Sequence, residues 1–154
     1  MKTRLLTVMT LLLSSLGVMS QEVAESKDSE SLGHGYRAFL NVEVVEDVAV
    51  GFSTTHGYQF NSNLYLGAGV AYVINMGGSS PYVHTDFRFD NIVSGKNTPF
   101  VDVRLSLNKD FFIVRPMVGY RFNHLNLGLG YWIINNGEKF TSISVGIDFG
   151  GRKK

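Results

Sequence analysis

The feature that most restricts this chain is a two-residue alternation of apolar and polar side chains, recurring in successive segments from Tyr36 to Phe149. Near the C-terminus Leu125, Leu127, Leu129, Tyr131 and Ile133 alternate with Asn126, Gly128, Gly130 and Trp132, and then Ile143, Val145, Ile147 and Phe149 alternate with Ser142, Ser144, Gly146 and Asp148. Val101, Val103, Leu105 and Leu107 stand against Asp102, Arg104 and Ser106, and Val83, Thr85, Phe87 and Phe89 against His84, Asp86, Arg88 and Asp90. The stretches 36–44 and 64–72 repeat the pattern, and 48–60 and 112–122 bring the number to about eight segments, each a strand with one apolar face. Turn-rich sequences separate them, among them Asn61-Ser62-Asn63, Gly77-Gly78-Ser79-Ser80-Pro81, Ser94-Gly95-Lys96-Asn97 and Asn135-Asn136-Gly137. No segment competes as an amphipathic helix. The expected fold is all-β, an antiparallel up-and-down barrel of about eight strands over residues 34–149.

Alternation does not say which face is inside. A soluble lipocalin-like barrel turns its apolar face inward around a ligand, and a membrane barrel turns it outward to lipid. Charge type decides. The polar face carries Arg37, Arg88, Arg104, Arg115 and Arg121 with Glu43, Asp86, Asp90, Asp102 and Asp148, while Lys96, Lys109 and Lys139 fall in the expected connections. A water-facing sheet would carry lysine, whereas a confined lumen favours arginine, whose planar fork holds carboxylates. The equal count of both signs fits an interior, because unpaired buried charge is costly. The ten residues are therefore expected to form a network inside a transmembrane barrel. Glycines on the same face, including Gly67, Gly119 and Gly128, are expected to leave room for the arginines. Aromatic residues near segment ends, such as Tyr36, Phe60, Phe122 and Phe149, fit interfacial girdles. Phe39 and Ile113 fall on the polar face, and Pro116 falls within a strand, where a bulge or a later strand start is expected.

Residues 1–20 have the layout of a secretory signal peptide: Lys2 and Arg4, then an apolar run through Leu13, then small and polar residues before Gln21. Thr7, Thr10, Ser14 and Ser15 interrupt that run, so it falls short of a membrane-spanning helix. Residues 21–33 are polar and read as a flexible arm. Without residues 1–20, the 14 Lys+Arg become 12 against 13 Asp+Glu, so no basic footprint for nucleic acid remains. The absence of cysteine excludes a disulfide scaffold, a thiolate zinc site and a cysteine-anchored lipoprotein.

Three stretches carry a resemblance: Thr54-Thr55-His56-Gly57-Tyr58-Gln59-Phe60-Asn61 leading into Leu64-Tyr65-Leu66-Gly67-Ala68-Gly69-Val70, then Pro99-Phe100-Val101-Asp102-Val103-Arg104, and Val118-Gly119-Tyr120-Arg121-Phe122. Over roughly residues 35–149 the chain resembles small outer-membrane β-barrels of the OmpA/OmpX-like superfamily, in their short-looped Gram-negative form. The resemblance implies periplasmic termini and outward hairpins near 46–47, 75–81, 108–110 and 135–139. It also implies outer-membrane lipids and the barrel-assembly machinery as partners. The last strand, with Ile143, Val145, Ile147 and Phe149, looks like the C-terminal signal read by that machinery, although the basic extension 150–154 follows it.

The expected role is structural, in envelope integrity, with no enzymatic activity, catalytic residue, metal or cofactor. Eight strands enclose an interior just wide enough for side chains, so a general pore is not expected. Two other readings compete: a lipid-modifying outer-membrane enzyme, and a soluble periplasmic barrel binding an apolar ligand. The first needs a base and a nucleophile in reach. His56 is the base to test, placed by strict alternation on the apolar face with Thr54 and Tyr58, unless a bulge at Gly57 turns it inward. His84 is expected among the lumen charges, and His34 and His124 in loop or turn sequence. The four histidines lack metal-ligand spacing, and no nucleophile elbow, P-loop or dinucleotide fingerprint is present.

Overall fold

A computed structural model describes residues 32–46, 49–61, 63–75, 77–90 and 97–152. The expected signal peptide, the arm up to residue 31, and Lys153 and Lys154 lie outside the described residues. The chain forms eight strands: β1 (Leu32–Val45), β2 (Ala49–Gln59), β3 (Leu64–Asn75), β4 (Gly78–Asp90), β5 (Asn97–Leu107), β6 (Phe112–Phe122), β7 (Leu125–Ile134) and β8 (Lys139–Arg152). Each pairs antiparallel with the next, and β8 returns to β1, closing an up-and-down barrel. Strands of 10 to 14 residues match or exceed the roughly 9–11 residues that a tilted membrane strand needs.

Alternation becomes a division between outside and inside. Val70, Val83, Val101, Val118 and Ile143 are 50–59% exposed on the outer wall, whereas Arg37, Asp90 and Thr98 inside are 0% exposed. The apolar face therefore points out along the described strands, the reverse of the lipocalin arrangement.

Several boundaries differ from the sequence reading. Gly78 to Pro81 belong to β4, paired with Asn75 to Tyr72, and not to a turn. Asn97 and Lys139 open β5 and β8 instead of lying in connections. His34 lies within β1, which begins at Leu32 and so takes in the end of the expected arm. β8 runs on beyond Phe149, with Gly150 at φ +85° and Arg152 opposite Leu32, so the expected C-terminal extension begins as strand. Between Leu32 and Arg37 the β1–β8 register shifts.

Pro116 causes neither a bulge nor a late start. It pairs with Val103 on the β5 side, and on the β7 side the ladder skips from Val114–Ile133 to Met117–Gly130 without losing register. The missing N–H thus costs pairing on one side only. The β6–β7 connection is the two-residue turn Asn123-His124, in which Asn123 takes φ +57°. Asparagine tolerates that left-handed conformation better than most residues.

Candidate functional site

Closing the barrel brings all ten predicted charged residues inside, each at most 5% exposed. Their ion pairs fall into two sets. At the end that carries the chain termini, Arg37 reaches two carboxylates from different strands. Its Nη1 donates to Asp90 Oδ2 (2.6 Å) and its Nε and Nη2 to Asp148 Oδ2 (3.0 and 2.7 Å), while Gln59 Oε1 also accepts from Nη1 at 2.8 Å. Arg88 Nε donates to Asp90 Oδ1 at 2.9 Å and its Nη2 to Asn126 Oδ1 at 2.6 Å. Arg121 Nη1 stands 3.9 Å from Asp90 Oδ2. His124, in the turn as expected, lies with Nδ1 3.1 Å from the Asp148 carbonyl oxygen.

Toward the opposite end, Arg104 donates to Asp86 Oδ2 (3.1 Å) and to Ser53 Oγ (2.9 Å). Arg115 donates to Glu43, which also accepts from the Trp132 indole at 2.8 Å, and Arg115 lies 3.9 Å from Asp102. His84 is buried in the lumen as expected, but its hydrogen-bond partner is Thr55 Oγ1 at 2.9 Å and not a carboxylate. Among the described residues no ion pair joins the two sets. The terminal set holds three guanidiniums and two carboxylates. The other holds two guanidiniums and three carboxyl groups.

Apolar lumen residues lie between the sets in strand order. On β1 Phe39 falls between Arg37 and Glu43, and on β6 Met117 falls between Arg121 and Arg115. Tyr65 meets Phe39 edge-on with ring centroids 5.0 Å apart. The Arg37 and Arg88 guanidiniums lie 4.6 and 4.8 Å from the Phe39 ring centre, and Arg88 lies 3.7 Å over Phe100. These are cation–π distances, which let a buried guanidinium rest on an aromatic face. Phe39, Tyr65, Phe100, Ile113 and Met117 are all 6% exposed or less. The polar-face positions of Phe39 and Ile113 are thus lumen packing.

The lumen glycines serve this layer and not the arginines. A Cβ on Gly57 or Gly67 would strike Tyr65, one on Gly119 would strike Phe100, and one on Gly128 would strike Met117. Gly69 and Gly146 likewise make room for His84 and Asn41. A cavity of about 20 Å³ for water centres, lined by Glu43, Arg104, Arg115 and Trp132 among others, suits an isolated water more than a ligand.

Ile143 and Phe149, two residues of the predicted C-terminal signal, face outward at 53% and 40% exposure, while Ile147 is buried at 4% against its neighbours. Val145 is intermediate. His56 faces outward with Thr54 and Tyr58, and the pairing runs unbroken through Gly57, so no bulge turns the ring inward. No group of three or more metal-binding side chains is gathered among the described residues.

A de novo designed transmembrane β-barrel has a similar structure, with a TM-score of 0.54, 17% identity, 79% of this chain covered and 100% of that one. A second, the designed TMB2.3 solved by solution NMR, aligns with a TM-score of 0.51 at 18% identity, covering 77% of this chain and 97% of the other. The chain has the fold of a transmembrane β-barrel. At these identities the likeness is one of fold alone. No protein family and no curated protein matches the sequence.

Proposed function

We propose that this protein is an outer-membrane β-barrel of Gram-negative type, exported by its N-terminal signal peptide, whose contribution to the envelope is structural and not enzymatic. The observation that carries this reading is the inversion of the barrel: apolar side chains outside, and charge with aromatic packing inside. Such an object is stable in a bilayer, where the outer wall meets hydrocarbon and closure leaves no open sheet edge. It is a poor pore, because the lumen is filled, and a poor receptor, because the described hairpins are short. Lipid is its expected partner along the wall, and the β8 residues Ile143, Val145, Ile147 and Phe149 are its expected contact with the barrel-assembly machinery. Kinship with the OmpA/OmpX-like superfamily is part of this proposal and rests on the sequence resemblance alone.

Membrane fractionation followed by electrophoresis of boiled and unboiled samples tests this reading. A band in the outer-membrane fraction that migrates differently until heated is the expected result. Recovery in the periplasm with no heat-dependent shift would contradict it.

A further inference from the structure

On the outer wall, in a belt otherwise given over to apolar side chains, three polar groups lock together. Tyr36 Oη lies 2.5 Å from His56 Nδ1, and Thr54 Oγ1 lies 2.9 Å from His56 Nε2. Register explains the meeting. Ala38 and Ala68 face His56 across its two ladders, so the imidazole stands at a low point of the surface. Tyr36 pairs with Tyr58 on its terminal side, and Leu40 pairs with Thr54 on the other. The depth of the cluster follows from the same pairing. Tyr36, Tyr58 and Phe60 belong to the outward aromatics at the end carrying the termini, where rings mark the headgroup level. His56 is one outward position further in, roughly 7 Å along the strand. Beyond it the wall becomes Leu40, Val70 and Val83.

Proton counting shows what the cluster offers its surroundings. In a neutral imidazole one ring nitrogen donates and the other accepts. If Nδ1 carries the hydrogen, Tyr36 accepts it and keeps its own O–H free, while Thr54 donates to Nε2. If Nε2 carries it, the roles exchange and the Thr54 O–H is free. In both tautomers one of the two hydroxyl hydrogens is left over after the ring is bonded, and leaving a donor unmet at the edge of the hydrocarbon is costly. The group that fits is an acceptor without hydrogens of its own, lying just below the headgroups.

We propose that Tyr36, His56 and Thr54 form a binding site for the acyl-ester carbonyl of a glycerophospholipid in the leaflet on the side of the chain termini. The inference rests on the membrane reading given above. The arrangement also has the outline of a nucleophile, a base and an orienting group, yet it lacks what ester cleavage requires. Residues 54–56 pair in register with both 38–40 and 68–70, so the ladder leaves no backbone N–H pair for a developing oxyanion. The site therefore binds an ester without breaking it.

Diester and diether phosphatidylcholine share a headgroup and differ in the carbonyl. The folded barrel is taken from micelles containing both in equal amounts, and the two adducts are read together by native mass spectrometry. A preference for the diester of roughly three- to tenfold is expected, the size of one net hydrogen bond. It should vanish in the Tyr36→Phe/Thr54→Val double variant, which removes both hydroxyls and leaves the lumen untouched. Equal adducts in the wild type, or a preference that survives in the double variant while its heat-dependent shift is intact, would overturn the site. Release of lysolipid would overturn the binding role in favour of cleavage. Loss of the heat-dependent shift in the wild type would overturn the membrane reading as well, which separates the two failures.

Discussion

Arg104 illustrates how much rests on a single lumen side chain. Its two bonds, to Asp86 and Ser53, leave Asp86 with no other arginine within ion-pair distance among the described residues. Arg104→Ala strands a buried carboxylate, a change that costs about 3–5 kcal/mol, and a lowered urea midpoint of unfolding in detergent is expected. Removing both partners, in Arg104→Ala/Asp86→Ala, should recover part of that loss; no recovery would mean the pair is not the reason for it. Gly67 carries the complementary prediction. Gly67→Val drives a side chain into the Tyr65 ring and should cost about 1–3 kcal/mol, with Tyr65→Ala in the same chain relieving the clash. The sequence made the ten charges and their common face legible, but not their partners. Pairing Arg37 with Asp148, 111 residues away, requires the register between the first and last strands, which no local pattern encodes.

At the scale of the strand, alternation locates elements well wherever one face meets an apolar surroundings. It has no purchase where the ladder continues beyond the apolar belt. Gly78 to Pro81 have turn composition yet remain paired, because hydrogen bonding to Val73, Ile74 and Asn75 does not depend on hydrophobic contrast. Gly150 to Arg152 likewise continue the ladder with no apolar alternation to mark them. The aromatic layer was hidden differently. Phe39, Tyr65, Phe100 and Met117 share the polar face, and only their opposition to glycines on neighbouring strands shows them to be packing. β8 has a double duty that can be separated by experiment. Phe149 is outward and 40% exposed, so Phe149→Ala removes little lumen packing. Its refolding into micelles should match the wild type, while its level in cellular outer membranes should fall severalfold if Phe149 is part of the assembly signal. Equal levels in cells would leave β8 a structural strand only.

Taken whole, the molecule is a closed wall around two charge sets, with Phe39 and Met117 standing between them along β1 and β6. That filling predicts that planar bilayers containing the protein show no stepwise conductance, and regular single-channel steps would contradict the packed lumen. The larger claim is that the apolar wall lies in hydrocarbon. The chain contains no cysteine, so single cysteines can be spin-labelled without background. Labels placed along β3 and β6 at Val70 and Val118, 56% and 57% exposed, and at lumen-facing Ser144, 3% exposed, sample both faces. In reconstituted bilayers the account predicts that labels at 70 and 118 relax strongly with oxygen and hardly at all with a water-soluble nickel chelate, while the label at 144 is shielded from both. Ready access of the nickel chelate to 70 and 118 in the bilayer preparation would contradict it.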